Sequence, residues 1–178
     1  LELTDPGEFT ATISIANNDN EICAYETTSF TAETTGSIAS LQWQKDGENF
    51  ENATSSTLSN VNTAGSYTVV ATQTTSGCTV TSNAITLTVD TVPNVTITGP
   101  ASVCKDQYFE LNANNADEYE WSYQGMGEDD ELTEEMIYDY ITADRTYSVT
   151  GYNSFGCTAS ASKTVTVNAL PSTELTFS

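Results

Sequence analysis

Four cysteines are the residues of this chain with the most pointed chemistry, and they fall into two matched sets: Cys23 with Cys104, and Cys78 with Cys157. Cys23 and Cys104 each follow an aliphatic residue. Cys78 and Cys157 each follow a glycine and open a threonine-rich run, SGCTVTSNAITLTV and FGCTASASKTVTV. Matched cysteines in a lysine-poor, exported type of chain point to disulfides. Four cysteines allow three pairings, and spacing does not choose among them. Carboxylates are the other abundant reactive group: 25 acidic residues stand against 4 basic ones with no histidine, for a net charge of −21. Lack of histidine rules out Ser-His and Cys-His catalysis within these residues. A carboxylate pair can hydrolyse glycosides, but none here sits in a cleft motif, so no enzyme is expected. Oxygen-rich loops suit calcium, which takes six to eight oxygen ligands. The candidates are Asp129, Asp130 and Glu131, the pair Asp90 and Asp117, and the run Asn17 to Asn20. No EF-hand spacing is present, and no cofactor other than calcium is expected. Tyr138 and Tyr140, in an acidic stretch, are candidates for stacking against a glycan or a protein partner. The charge argues against nucleic acid as a partner. No apolar run approaches the ~20 residues of a membrane span, so no direct membrane insertion is expected.

The elements that must position these residues read as β throughout. Alternating runs such as Thr12-Ile13-Ser14-Ile15, Thr86-Leu87-Thr88-Val89 and Phe109-Glu110-Leu111 are separated by Gly, Asn and Asp clusters. With 38% apolar residues, the chain has the means to pack a core despite its charge. Laid on itself with an offset of about 80, it repeats. Ile22-Cys23 matches Val103-Cys104, Trp43 matches Trp121, Tyr67 matches Tyr147, and Gly77-Cys78 matches Gly156-Cys157. The expected division is one domain over 5–91 and a second over 92–170. Residues 1–4 and 171–178 resemble the ends of neighbouring repeats, so the chain reads as a window of a longer tandem array.

The first repeat carries Trp43-Gln44-Lys45-Asp46-Gly47 and Leu58-Ser59-Asn60-Val61, then Ala64-Gly65-Ser66-Tyr67-Thr68-Val69. This resembles strands C, E and F of an immunoglobulin-like sandwich, with an Asp-Gly hairpin and a tyrosine corner. The fold expected is all-β: two tandem immunoglobulin-like (PKD-like) antiparallel β-sandwiches. The second repeat keeps Trp121 and Tyr147 but lacks the hairpin, and Leu132 to Met136 could form a helical turn. In that topology the usual bridging positions hold Ala32 with Val69 and Ala113 with Val149, so the inter-sheet disulfide is missing. Cys23 and Cys104 fall in the turn before strand B, and Cys78 and Cys157 just beyond the F–G hairpin. These turns lie at opposite ends of a sandwich, roughly 25–30 Å apart, whereas a disulfide needs Cα atoms within about 7 Å. A Cys23–Cys157 bond between domains is therefore preferred, with Cys78 and Cys104 reserved for neighbouring repeats. The pairs Cys23–Cys78 and Cys104–Cys157 are the alternative, because bridges within a domain are far commoner.

Val103-Cys104, Tyr119, Trp121, Tyr147, Val149, Gly156-Cys157-Thr158 and Val165-Thr166-Val167, mirrored in the first repeat, carry a wider resemblance. The pattern is similar to the PKD-like and immunoglobulin-like tandem repeats of large Bacteroidota surface proteins, including gliding and attachment adhesins exported by the type IX system. The resemblance implies an extracellular, cell-surface array acting as a stalk or filament, whose first partners are neighbouring repeats of the same chain. The alternative it leaves open is an adhesive module for surface glycans or proteins, using the acidic Tyr-rich region of the second repeat. Asp90-Thr91-Val92 matches the short O-glycosylation acceptor of that phylum, which marks Thr91.

Overall fold

The computed structural model describes residues 8–127 and 132–169. The chain divides between Thr91 and Val92 into two units, each all-β.

In the first unit, strand β1 (Ala11–Ile15) buries alternate residues and pairs antiparallel with β3 (Thr28–Thr34), which in turn pairs with β6 (Thr57–Val61). The second sheet runs from β2 (Glu21–Cys23) through β9 (Ile85–Asp90) and β7 (Gly65–Gln73) to β4 (Ile38–Lys45) and β5 (Glu48–Asn49). Strand β8 (Thr79–Thr81) pairs with β7 as well. The β4–β5 hairpin closes through Asp46 and Gly47, both at positive φ (53° and 84°), the conformation of a two-residue type I′ turn. Between the sheets lie Phe30, Trp43 and Tyr67, all fully buried, with the Phe30 ring stacked on Tyr67 at 4.7 Å.

The second unit repeats this plan. Strand β10 (Thr96–Thr98) pairs with β12 (Tyr108–Asn114), and β12 with β14 (Met136–Tyr140). Opposite them, β11 (Ser102–Cys104), β16 (Thr158–Asn168), β15 (Arg145–Tyr152) and β13 (Glu118–Tyr123) form the other sheet. Its core gathers Phe109, Leu111, Trp121, Ile141, Tyr147 and Val149.

The first strand of each unit changes sheets. In the first unit β1 belongs to one sheet, and after a 3-10 turn at Ala16–Asn18 the chain crosses to pair β2 in parallel with β9. The second unit does the same through β10 and β11, the latter parallel to β16. Cys23 and Cys104 thus end short parallel strands rather than sitting in a bare turn. The crossing explains the polar run Asn17 to Asn20. Asn17 and Asn18 adopt positive φ, which Asn tolerates, and Asp19 accepts the Glu21 amide at 3.0 Å.

Leu132 to Met136 holds no helix: Leu132 to Glu135 carry no regular structure, and Met136 begins β14. The Leu132 carbonyl accepts the Trp121 amide at 2.8 Å, and the Glu134 carbonyl accepts the indole Nε1 at 2.9 Å. The first unit makes the same pair of bonds, Trp43 to Ala53 and to Ser55. Holding the tryptophan claims these carbonyls, which a helical turn would need for its own bonds.

Candidate functional site

The register locates each cysteine. Cys23 pairs with Asp90 at the end of β9, the end of that sheet where Gly65 of β7 opposes Leu87. Cys78 leads into β8, which opposes the far end of β7 at Thr72. The length of β7 separates the two, about 25 Å at the rise of a strand. In the second unit Cys104 opposes Asn168 at one end of β16, and Cys157 immediately precedes Thr158 at the other. Cys23 and Cys157 are disulfide-bonded and buried, at 8% and 1% exposure. Cys78 and Cys104 are exposed free thiols. A whole strand lies between the members of each within-domain pair, Cys23–Cys78 and Cys104–Cys157.

The calcium candidates Asp129, Asp130 and Glu131 lie outside the described residues. Asp90 closes β9, its carbonyl accepting the Ala24 amide at 2.8 Å, and Asp117 precedes β13, donating its amide to the Tyr152 carbonyl at 2.8 Å. Among the described residues no group of three or more His, Cys, Asp or Glu side chains is placed to hold a metal. Thr91 is exposed directly after β9.

Tyr138 and Tyr140 occupy the outer face of the β10–β12–β14 sheet, 66% and 53% exposed. The register brings Tyr108 opposite Tyr140 and Glu110 opposite Tyr138. Tyr108 is 73% exposed, and its ring centroid lies 5.2 Å from that of Tyr140 with the planes tilted by 55°. Alongside these rings Asn112 donates its side-chain amide to Glu110 Oε1 at 3.2 Å, and Thr98 of β10 opposes Asn112. Tyr108 was not singled out from the sequence, because its partner Tyr140 is distant along the chain and only the strand register joins them. The equivalent face of the first unit presents Thr12, Ser14, Thr31, Glu33, Thr57 and Ser59, with no aromatic ring.

On the inner side of β14, Asp139 receives hydrogen bonds from Arg145 (2.7 Å, an ion pair) and from the Tyr147 hydroxyl. The Arg145 guanidinium also lies over the Tyr123 ring, 4.8 Å from its centroid. Burial raises the Tyr147 phenol pKa, and the adjacent carboxylate raises it further. The equivalent Tyr67 instead donates to the Thr63 carbonyl at 2.7 Å, a tyrosine corner. An open cleft of about 1140 Å³ lies beside β13, lined by Glu118, Glu120, Glu134 and Glu135 with Trp121 and Tyr152. Tyr152 donates to Glu120 there at 2.8 Å, a bond that raises the phenol pKa. Among the described residues no helix is long and apolar enough to cross a membrane.

Strand order, sheet-switching first strand, buried tryptophan and corner tyrosine define a tandem of immunoglobulin-like β-sandwiches. No protein-family model and no curated protein matches the sequence. Solved structures of similar fold include Rst D1-D2, at 14% identity and a TM-score of 0.42, covering 88% of this chain and 100% of that one. Another is the N-terminal eight Ig domains of Down Syndrome Cell Adhesion Molecule, at 14% identity and a TM-score of 0.40, covering 91% of this chain and 27% of that one. A third is a Ca2+-stabilized adhesin that helps an Antarctic bacterium reach out and bind ice, at 17% identity and a TM-score of 0.47. This chain is 90% covered in that match and spans 49% of the other.

Proposed function

We propose that the chain is a two-repeat segment of an extracellular array at the cell surface, a spacer whose successive domains are joined by disulfides, here Cys23 to Cys157. The observation that carries this reading is the unequal state of equivalent cysteines. Cys23 is bonded and its counterpart Cys104 is free, while Cys157 is bonded and its counterpart Cys78 is free. A scheme in which the cysteine ending the short parallel strand of one repeat bonds the F–G cysteine of the next accounts for all four. Cys78 and Cys104 then serve the preceding and following repeats. An acidic, lysine-poor surface keeps such an array soluble and unaggregated, and an oxidising compartment keeps it linked.

The bond has a mechanical consequence. Tension applied to the two chain ends passes from Cys23 straight to Cys157, so residues 24 to 156 carry none of it. Only the first two strands of one domain and the last strand of the other remain under load. Small domains of this size bury a modest share of their unfolded surface and have little stability in reserve. A covalent shortcut spares them. Single-molecule pulling on the chain ends tests this directly. The expected outcome is a short extension under oxidising conditions and, after reduction, the full release of both domains. Equal extension in the two conditions contradicts it.

A further inference from the structure

We propose that the outer face of the β10–β12–β14 sheet is a carbohydrate-binding platform for neutral glycans, with Tyr108, Tyr138 and Tyr140 as its stacking surface. The proposal stands apart from the spacer reading and requires no disulfide.

Three large rings on one exposed face need a reason, since each is more than half exposed and none belongs to the core. Two aromatic side chains in cross-strand register and a third two residues along make a shallow apolar shelf about 7 Å long. That is close to the span of one sugar ring. The apolar face of a pyranose stacks on such a shelf as it does on any aromatic surface, leaving its hydroxyls at the rim. Hydrogen-bonding groups stand there: the tyrosine hydroxyls and the Glu110 carboxylate, held by the Asn112 side-chain amide. A few fixed polar groups beside an aromatic floor are what orients a small polar ligand.

Charge selects the class of glycan. None of the chain's four basic residues (Lys45, Lys105, Arg145 and Lys163) lies on β10, β12 or β14. A net charge of −21 repels sialylated, sulfated or uronic sugars. The comparison with the first unit argues against a basic protein as the occupant. Each face carries one carboxylate, Glu33 or Glu110, so charge does not distinguish them. What the second face has gained is rings in place of Thr and Ser, and rings are what a sugar uses.

The test takes the intact 178-residue chain to an array of neutral oligosaccharides (glucans, galactans, mannans and xylans) alongside sialylated and sulfated ones and a lysine-rich peptide. Titration calorimetry on the tightest neutral binder follows. Binding confined to neutral glycans is expected, weakened about tenfold by Tyr138→Ala or Tyr140→Ala and less by Tyr108→Ala. Tyr138→Phe should keep most of the affinity, and Thr31→Ala on the other unit's face should change nothing. Unaltered melting of each variant separates lost contacts from lost folding. Three results overturn the proposal: no neutral glycan bound, glycan binding indifferent to the tyrosines, or tyrosine-dependent binding of the peptide alone.

Discussion

The two units hold the same tryptophan and the same tyrosine in different ways. Trp43 and Trp121 are both buried, and each gives its amide and indole protons to two carbonyls of the returning chain. Around the corner tyrosine the designs part. Tyr67 leans on the Thr63 backbone, four residues before it, whereas Tyr147 leans on Asp139, which is itself held by Arg145. The first unit covers part of β4 with the short strand β5; among the described residues the second has no counterpart, and an open cleft lies beside β13. The first breaks its last strand at Asn83, whose side chain bonds both backbone groups of Ile13; the second runs β16 unbroken. Core rings fix the sandwich, and everything outside that skeleton is free to vary. The outer sheet face, hydroxylated in one unit and aromatic in the other, is where that freedom has gone furthest.

The comparison is most forcefully broken at the tryptophans. Trp43→Ala and Trp121→Ala should each cost about 3–5 kcal/mol, with the damage confined to the domain that carries the change. Each domain holds a single tryptophan, so the fluorescence of the survivor in a denaturant titration reports the intact domain. Next comes the support of the corner. Asp139→Ala leaves Arg145 without its counter-charge and Tyr147 without its acceptor, at an expected cost of about 2 kcal/mol in the second unit. Tyr67→Phe in the first unit removes the neutral hydrogen bonds of its hydroxyl to Thr63, about 1 kcal/mol. Urea midpoints of the two variants should rank them in that order.

Alkali should act on the second unit through the same tyrosine. Burial and the Asp139 carboxylate hold the Tyr147 phenol above its usual pKa of about 10. The unfolded chain therefore gives up this proton first. The stabilising contribution is complete below about pH 10 and declines as pH rises above it. Unfolding followed through Trp121 in a Trp43→Phe chain, at pH 8 and again near pH 11, should show the loss, and Tyr147→Phe should flatten it. The smallest stability effects belong to the exposed face. Tyr108→Ala, Tyr138→Ala and Tyr140→Ala should each move stability by no more than about 0.5 kcal/mol, although they strip the shelf.

Much of this was legible because it rests on short-range chemistry. Asp46-Gly47 is a type I′ turn because Gly accepts positive φ at no cost and Asp tolerates it. Tyr67 announces a corner, and the alternation of Leu41-Gln42-Trp43-Gln44 marks a strand whose one buried residue is Trp43. The small residues Ala32, Val69, Ala113 and Val149 do fill the space of the usual bridge. What escaped was set by tertiary partners. Three-residue strands such as Glu21–Cys23 are too short to show a period, so their crossing to the other sheet left no trace. The spacing of Leu132 and Met136 suits a helix, yet the protons of Trp121 take the Leu132 and Glu134 carbonyls. Tyr147 was readable as core, but its acceptor Asp139 depends on the divergent second half of the repeat. Two of the three tyrosines of the shelf, Tyr138 and Tyr140, were visible. Tyr108 was not, since strand register is written in two segments at once.

The central claim is that Cys23 and Cys157 join successive domains, and a disulfide map tests it most directly. The unreduced chain is alkylated and digested, and its linked peptides are read by mass spectrometry. The account predicts a Cys23–Cys157 peptide with Cys78 and Cys104 recovered as alkylated thiols. Peptides linking Cys23 to Cys78 and Cys104 to Cys157 would contradict it.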